Sequence, residues 1–142
     1  MKREELTLDD GLLCLAINGK CEIVFNPTDF CFIERVFHIF DALDAKQGDM
    51  ERRIREAQPR EIFEIAREAD AEMRELLDGL LGPGTCSALF GDVNVYAYSD
   101  GLPLWCNLLF AVTDRCETEL VDQQKQTNPR LAKYTAKYQK KA

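Results

Sequence analysis

One short stretch near the start of the chain constrains the fold most, because Asn18-Gly19 separates two apolar runs. Asn-Gly is the strongest short-range signal of a β-hairpin, since both central residues of a type I′ turn need positive φ angles. A two-residue connection predicts that Ile17 pairs with Lys20. The hairpin is therefore expected at residues 12–25.

In this register the two faces of the hairpin differ, because successive side chains of a strand point to opposite sides. One face is wholly apolar and is expected to meet the core; it carries Leu12, Cys14, Ala16, Cys21, Ile23 and Phe25. The other face carries Lys20 and Glu22 beside four apolar residues, Leu13, Leu15, Ile17 and Val24. That second face is too apolar to be simply solvated, so we expect a helix, another chain or a third strand to cover it, and those four residues are candidates for binding a partner.

The spacing of the apolar residues predicts that the rest of the chain is mostly helical. Helices are predicted at residues 27–46, 49–58, 60–81 and 103–126, with a short turn of helix at 85–90. Asn26-Pro27 is expected to start the first helix and Gly48 to interrupt it. The predicted class is α+β, mainly α: an N-terminal β-hairpin followed by a bundle of three to four helices, in one domain over residues 1–126.

Four smaller expectations concern single segments or residues. Phe37 is placed in the core-facing stripe of the first helix, and Trp105 is assigned to the core rather than to an interface. Residues 91–104 fit either a short strand or a helix, and helix is preferred because few other strands are available for pairing. Gly82-Pro83-Gly84 is expected to end the preceding helix.

Catalytic chemistry has no visible basis in this chain. The single histidine, His38, lies in an apolar helix and is expected to be a partly buried packing residue. No nucleophile motif, metal-ligand spacing or nucleotide-binding loop is present. The six cysteines form no CxxC pair and are expected to be reduced and mostly buried. We therefore expect no enzymatic activity, no metal and no cofactor.

The charge is unevenly distributed along the chain. The net charge is −7, but the first 122 residues carry −13, whereas residues 123–142 hold six basic residues and no acidic ones. We therefore do not expect the body to bind nucleic acid, because an acidic surface repels phosphates. Residues 127–142 form a basic C-terminal tail, which is expected either to be a solubilising end or to dock on an acidic partner through Lys133, Tyr134, Lys137 and Tyr138.

The chain is expected to remain in the cytoplasm. Its N-terminus, MKREELTLDD, lacks the apolar region of a signal peptide. No apolar run approaches the roughly 20 residues that a membrane span needs.

Several motifs occur in an order that resembles a known family. An INGK turn and an FNPTD helix start precede an acidic helix that ends in ELLDGLLGPGTCSALFGD. The NVYAYSDGLPLW and NPRLAKYTAKY stretches are similar to those of prophage proteins of this size. Together they resemble small tail assembly chaperones of long-tailed bacteriophages, or a related prophage tail protein.

The resemblance implies a non-enzymatic function in the bacterial host cytoplasm. Such chaperones bind the tape measure protein while tail-tube subunits polymerise around it, and they are absent from the finished virion. Self-association is possible for an acidic body with a basic tail, and a longer frameshifted product is known in the family. The alternatives are a permanent structural component of a phage tail or neck, a small cytosolic helical adaptor, and a nucleic-acid binder acting through its tail.

Overall fold

The computed structural model describes residues 1–126 and 128–130, and this part of the chain is mainly helical. The elements follow in the order β1 (Leu13–Ile17), β2 (Cys21–Phe25), α1 (Phe30–Glu56), α2 (Ile62–Leu81), α3 (Thr85–Phe90), β3 (Tyr98–Ser99), β4 (Leu102–Pro103) and α4 (Leu104–Lys125). An N-terminal antiparallel hairpin followed by four helices confirms the predicted α+β, mainly α class.

The first helix is longer and starts later than predicted. It begins at Phe30, with the Asp29 side chain accepting a hydrogen bond from the Cys31 amide at 2.9 Å. Asn26 is not its cap, because the Asn26 carboxamide oxygen accepts from the Thr28 amide in a local turn. Gly48 does not interrupt the helix. It is exposed, and an exposed glycine inside a helix costs only about 1 kcal/mol, whereas continuation buries further apolar side chains.

The later helices agree closely with their predicted bounds. The helix expected at 60–81 is α2, the turn expected at 85–90 is α3, and the helix expected at 103–126 is α4. Gly82 ends α2 with a φ of 129°, a conformation that L side chains rarely adopt. The segment from Gly82 to Gly84 therefore separates α2 from α3, as its composition predicted.

The predicted register of the hairpin is wrong by one residue. Asn18 and Gly19 do have positive φ angles, and the Lys20 amide donates to the Ile17 carbonyl at 2.9 Å. However, the ladder pairs Ile17 with Cys21, so that Lys20 is left outside the strands and the connection has three residues. A shift of one residue moves every side chain of β1 to the opposite face.

This shift buries the larger side chains of the hairpin. Inward-facing positions are half-buried or buried and are occupied by Leu13, Leu15, Ile17, Cys21, Ile23 and Phe25. Outward-facing positions are exposed and are occupied by Cys14, Ala16, Glu22 and Val24. In the predicted register the first strand would have buried Leu12, Cys14 and Ala16 instead, and cysteine and alanine offer much less apolar area than leucine and isoleucine.

Residues 91–103 do not form the helix that was preferred for them. They run as turns into the short β3–β4 pair, with Val95 fully buried. Two side chains of α2 hold this segment in place. The Arg74 guanidinium donates to the carbonyls of Gly91 and Val93 at 2.9 and 2.6 Å, and Asp70 accepts from the Val95 amide at 2.8 Å.

The core joins side chains from the hairpin and all four helices. Trp105 is 1% exposed, which confirms its assignment to the core, and its indole donates to the Gln47 side chain at 2.6 Å. Two expectations for α1 are wrong, since Phe37 and His38 are both exposed. The cysteines are free thiols, but only three are buried: Cys86, Cys106 and Cys116. In the described residues, no helix is long and apolar enough to cross a membrane.

Candidate functional site

The four hairpin residues predicted to bind a partner do not share a surface. Leu15 and Ile17 face α4 across a cavity of about 290 Å³ that Leu108 and Val112 also line. Leu13 points the same way and is half-buried, whereas Val24 points to the opposite side and is 58% exposed. The predicted apolar second face therefore does not exist, because it depended on the two-residue connection. Lys133, Tyr134, Lys137 and Tyr138 lie outside the described residues.

A cleft between α1 and α2 contains the single histidine. It has a volume of about 670 Å³, and its walls include His38 and Glu75. The chain's own contacts occupy three of its charged side chains: Lys46 and Glu72 form an ion pair at 3.1 Å, and Arg35 donates to the Gly79 carbonyl at 3.2 Å. No group of three or more potential metal ligands occurs among residues 1–126 and 128–130.

A different surface stands out, along the seam between α1 and α4. It is formed by Phe30, Ile33, Phe37 and Phe40 of α1 with Phe110 of α4, and we call it the aromatic patch. Phe30, Phe37 and Phe110 are 70%, 56% and 40% exposed. Phe40 lies beneath them, with its ring centroid 5.4 Å from that of Phe110 and 5.4 Å from that of Trp105. The patch thus extends the core outward to solvent.

The spacing along α1 explains why these side chains form one surface. Phe30, Ile33, Phe37 and Phe40 follow each other at intervals of three and four residues, so that they lie on one stripe of the helix. The buried stripe of Phe32, Val36 and Leu43 lies next to it. The N-terminal half of α1 is therefore apolar over about 180° of its circumference, more than the core covers.

Carboxylates border this patch on both helices. Five exposed acidic residues lie one or two turns from the exposed phenylalanines, and we call them the acidic rim: Glu34, Asp41, Asp44, Asp114 and Glu117. None of the five takes part in an ion pair within the described part of the chain. Burial raises the pKa of the Cys106 thiol and the charge of Asp44 raises it further, which places Asp44 beside α4.

Three basic residues of the same two helices point away from the seam. Arg35 and Lys46 line the cleft toward α2, and Arg115 lines the cavity toward the hairpin. The seam is consequently an apolar surface with the five carboxylates of the acidic rim along its border. Such a site suits a partner that presents an apolar stripe flanked by lysine or arginine.

Sequence reasoning missed the aromatic patch, although a signal for it was present. The segment FCFIERVFHIF has apolar residues on too wide an arc for a helix with one buried stripe. Because Phe37 was assigned to the core, the extra width of this apolar arc was not interpreted as an exposed surface. Only the packing of α4 shows which part of the arc stays uncovered.

Comparison of this chain with known protein families, with curated proteins and with solved structures finds no match in any of the three.

Proposed function

We propose that this protein is a non-enzymatic binding protein whose aromatic patch holds an apolar stripe of a helical partner. The observation that carries the proposal is the exposure of Phe30 and Phe37 on a well-packed helix. Aromatic side chains are enriched among the residues that dominate binding energy at protein interfaces. An exposed apolar cluster with a charged border is typical of such an interface.

The shape of the site favours a helix as the partner. The patch lies along two neighbouring antiparallel helices, and the Phe40 and Phe110 rings, 5.4 Å apart, connect them. A third helix can pack on such a pair by placing its ridge of side chains along the line where the two helices meet. Helix-in-groove recognition uses apolar anchors at intervals of three and four residues, which is also the spacing on α1.

Within this proposal, the resemblance to tail assembly chaperones makes a tape measure protein the proposed partner. A tape measure protein is a long helical chain that exposes apolar stripes before the tube forms around it. A chaperone in the bacterial cytoplasm must cover those stripes and then release them to tail-tube subunits. An exposed patch of a few aromatic residues suits reversible binding, since it is smaller than the roughly 800 Å² per partner of a stable interface.

The test is co-expression with a tape measure protein taken from the gene neighbourhood of this chain, whose presence there the proposal requires. The double variant F30S/F37S removes the two most exposed members of the patch. Loss of two anchor residues is expected to weaken binding by about 2 kcal/mol or more, a factor of about thirty. The tape measure protein should then no longer be recovered soluble.

A matched control is available in α2. Phe63 is as exposed as Phe30, at 70%, but it lies in the first turn of α2, beyond the far end of α1. The variant F63S should leave co-purification unchanged. Equal loss with F63S and F30S/F37S would contradict a specific patch, and unchanged binding with F30S/F37S would remove the patch from the proposal.

Two outcomes would favour the alternatives. A permanent tail or neck component would be found in purified virions, where a chaperone is absent. If the protein neither enters virions nor associates with the tape measure protein, the hypothesis of a small cytosolic helical adaptor replaces the chaperone hypothesis.

A further inference from the structure

The C-terminal end of α4 lies beside the start of α1. Trp105, in the first turn of α4, contacts Gln47 and Phe40 in the middle of α1. At the other end of α4, Glu119 and Gln123 line the same small cavity as Asn26, just before α1 begins. The two helices therefore run antiparallel, and the chain leaves α4 within reach of Phe30.

The segment that follows has the opposite charge to the acidic rim. Residues 126–142 contain no acidic residue, and their basic residues are Arg130, Lys133, Lys137, Lys140 and Lys141. The N-terminal arm, which is also close, does not have this complementarity, since residues 1–12 hold four acidic and two basic residues. Charge alone therefore selects the C-terminal segment from the two ends of the chain.

The segment also has matching apolar residues and a matching length. Leu131, Tyr134 and Tyr138 recur at intervals of three and four, with Lys133 and Lys137 beside them. At the helical rise, residues 131 to 142 would span about 16 Å, against about 15 Å from Phe30 to Phe40 along α1. The tail is thus long enough to cover the patch, starting from the end at which it leaves α4.

We propose that residues 131–142 dock on the aromatic patch of the same chain and occupy it until a partner displaces them. The tyrosines meet the phenylalanines of α1, and the lysines meet the acidic rim. Because the tail is tethered to α4, its effective concentration at the patch is in the millimolar range, so even weak docking fills the site. The docking itself needs no partner; only the competition rests on the proposed function.

Competition with a partner gives a measurable consequence. If the tail occupies the patch for about nine-tenths of the time, the partner binds about tenfold more weakly than it does to the uncovered patch. The same tail would keep exposed phenylalanines covered before the partner is made. Docking driven partly by charge should also weaken as salt rises from about 0.05 to 0.5 M.

The experiment uses the full chain and the neutral dye Nile red, which fluoresces on exposed apolar surfaces. The variants Y134S/Y138S and K133E/K137E should each raise Nile red fluorescence severalfold and shift the amide NMR signals of residues 30–44 and 110–117. Adding F30S/F37S to either variant should abolish the rise. The variant K2E/R3E makes the same change in net charge at the N-terminal arm and should change neither readout.

The outcomes distinguish two occupants of the aromatic patch, the tail of the same chain and the tail of a second copy. A monomer by sedimentation that shows the expected shifts supports docking within one chain. A dimer that both tail variants dissociate would overturn it in favour of exchange between two copies. Unchanged fluorescence and NMR signals in both tail variants would refute docking, whatever the tape measure protein does. Conversely, confirmed docking without tape measure binding would refute only the chaperone function.

Discussion

The ion pair of Asp70 and Arg74 offers the sharpest test of how residues 91–103 are held. Arg74 Nε lies 3.0 Å from Asp70 Oδ2, and both side chains are only about one-fifth exposed. The Nε–H is not aligned for a hydrogen bond, so this contact is an ion pair alone. The directional bonds come from the other guanidinium nitrogen, to the carbonyls of Gly91 and Val93.

The variant R74M keeps the aliphatic stem of the side chain and removes all of these contacts. Breaking a buried ion pair by removing one partner typically costs about 3–5 kcal/mol. Because both side chains of this pair keep some contact with solvent, the lower end applies, and the free energy of unfolding should fall by about 3 kcal/mol. For a chain of this length that corresponds to a drop in Tm of about 10 °C.

Urea unfolding followed by circular dichroism measures this change, with R67M as its control. Arg67 lies on the same helix but is exposed, and within the described residues it makes no ion pair. R67M should change stability by less than about 0.5 kcal/mol. In a double-mutant cycle, D70N with R74M should cost less than the sum of the two single variants. If R74M lowers the free energy of unfolding by less than about 1 kcal/mol, the reasoning that Arg74 holds residues 91–103 in place is refuted.

Three further predictions concern the hairpin, an alkaline titration and the thiols. L15K should destabilise the fold by about 1–2 kcal/mol in a urea titration and A16K by almost nothing, whereas a two-residue hairpin connection predicts the reverse. Burial raises the pKa of Tyr96 from 10.0 to about 12, so its neutral form stabilises the fold below pH 10 and that contribution is lost as the pH rises toward 12. The Tyr96 hydroxyl has no hydrogen-bond partner in the described residues, so Y96F should be nearly neutral at pH 7 and should reduce the alkaline loss of urea resistance. In native protein at about pH 8, iodoacetamide should modify the exposed Cys31, whereas Cys86, whose pKa burial raises to about 12, should react only after unfolding, as peptide mass mapping can check.

The helices α2 and α4 were predictable because their signals are local. Each has an apolar stripe over five or more turns, and Gly82-Pro83 stops α2 through backbone preferences that need no tertiary partner. Residues 91–103 carry no comparable signal. Their conformation depends on Asp70 and Arg74, which are about 20 residues earlier in the chain and belong to another element.

The predictions for the hairpin register and for the first helix were wrong for a related reason. Asn18-Gly19 predicts a turn, but the choice between a two-residue and a three-residue connection depends on which side chains of β1 the core accepts. Burying Leu15 and Ile17 rather than Ala16 decides that choice, and α4 supplies the surface against which they pack. Gly48 likewise predicts a break only if nothing beyond it needs to be buried, and Met50 in the next turn is buried.

The candidate site depends both on a local sequence signal and on tertiary packing. The wide apolar arc of α1 was readable from Phe30, Ile33 and Phe37, but whether another helix covers that arc is a tertiary fact. The acidic rim then limits what can bind there. Two copies that met patch to patch would bring both rims together, and like charges facing each other across an interface oppose association. The exposed aromatic surface is therefore protected against pairing with itself and is left free for an occupant with basic residues beside its apolar stripe.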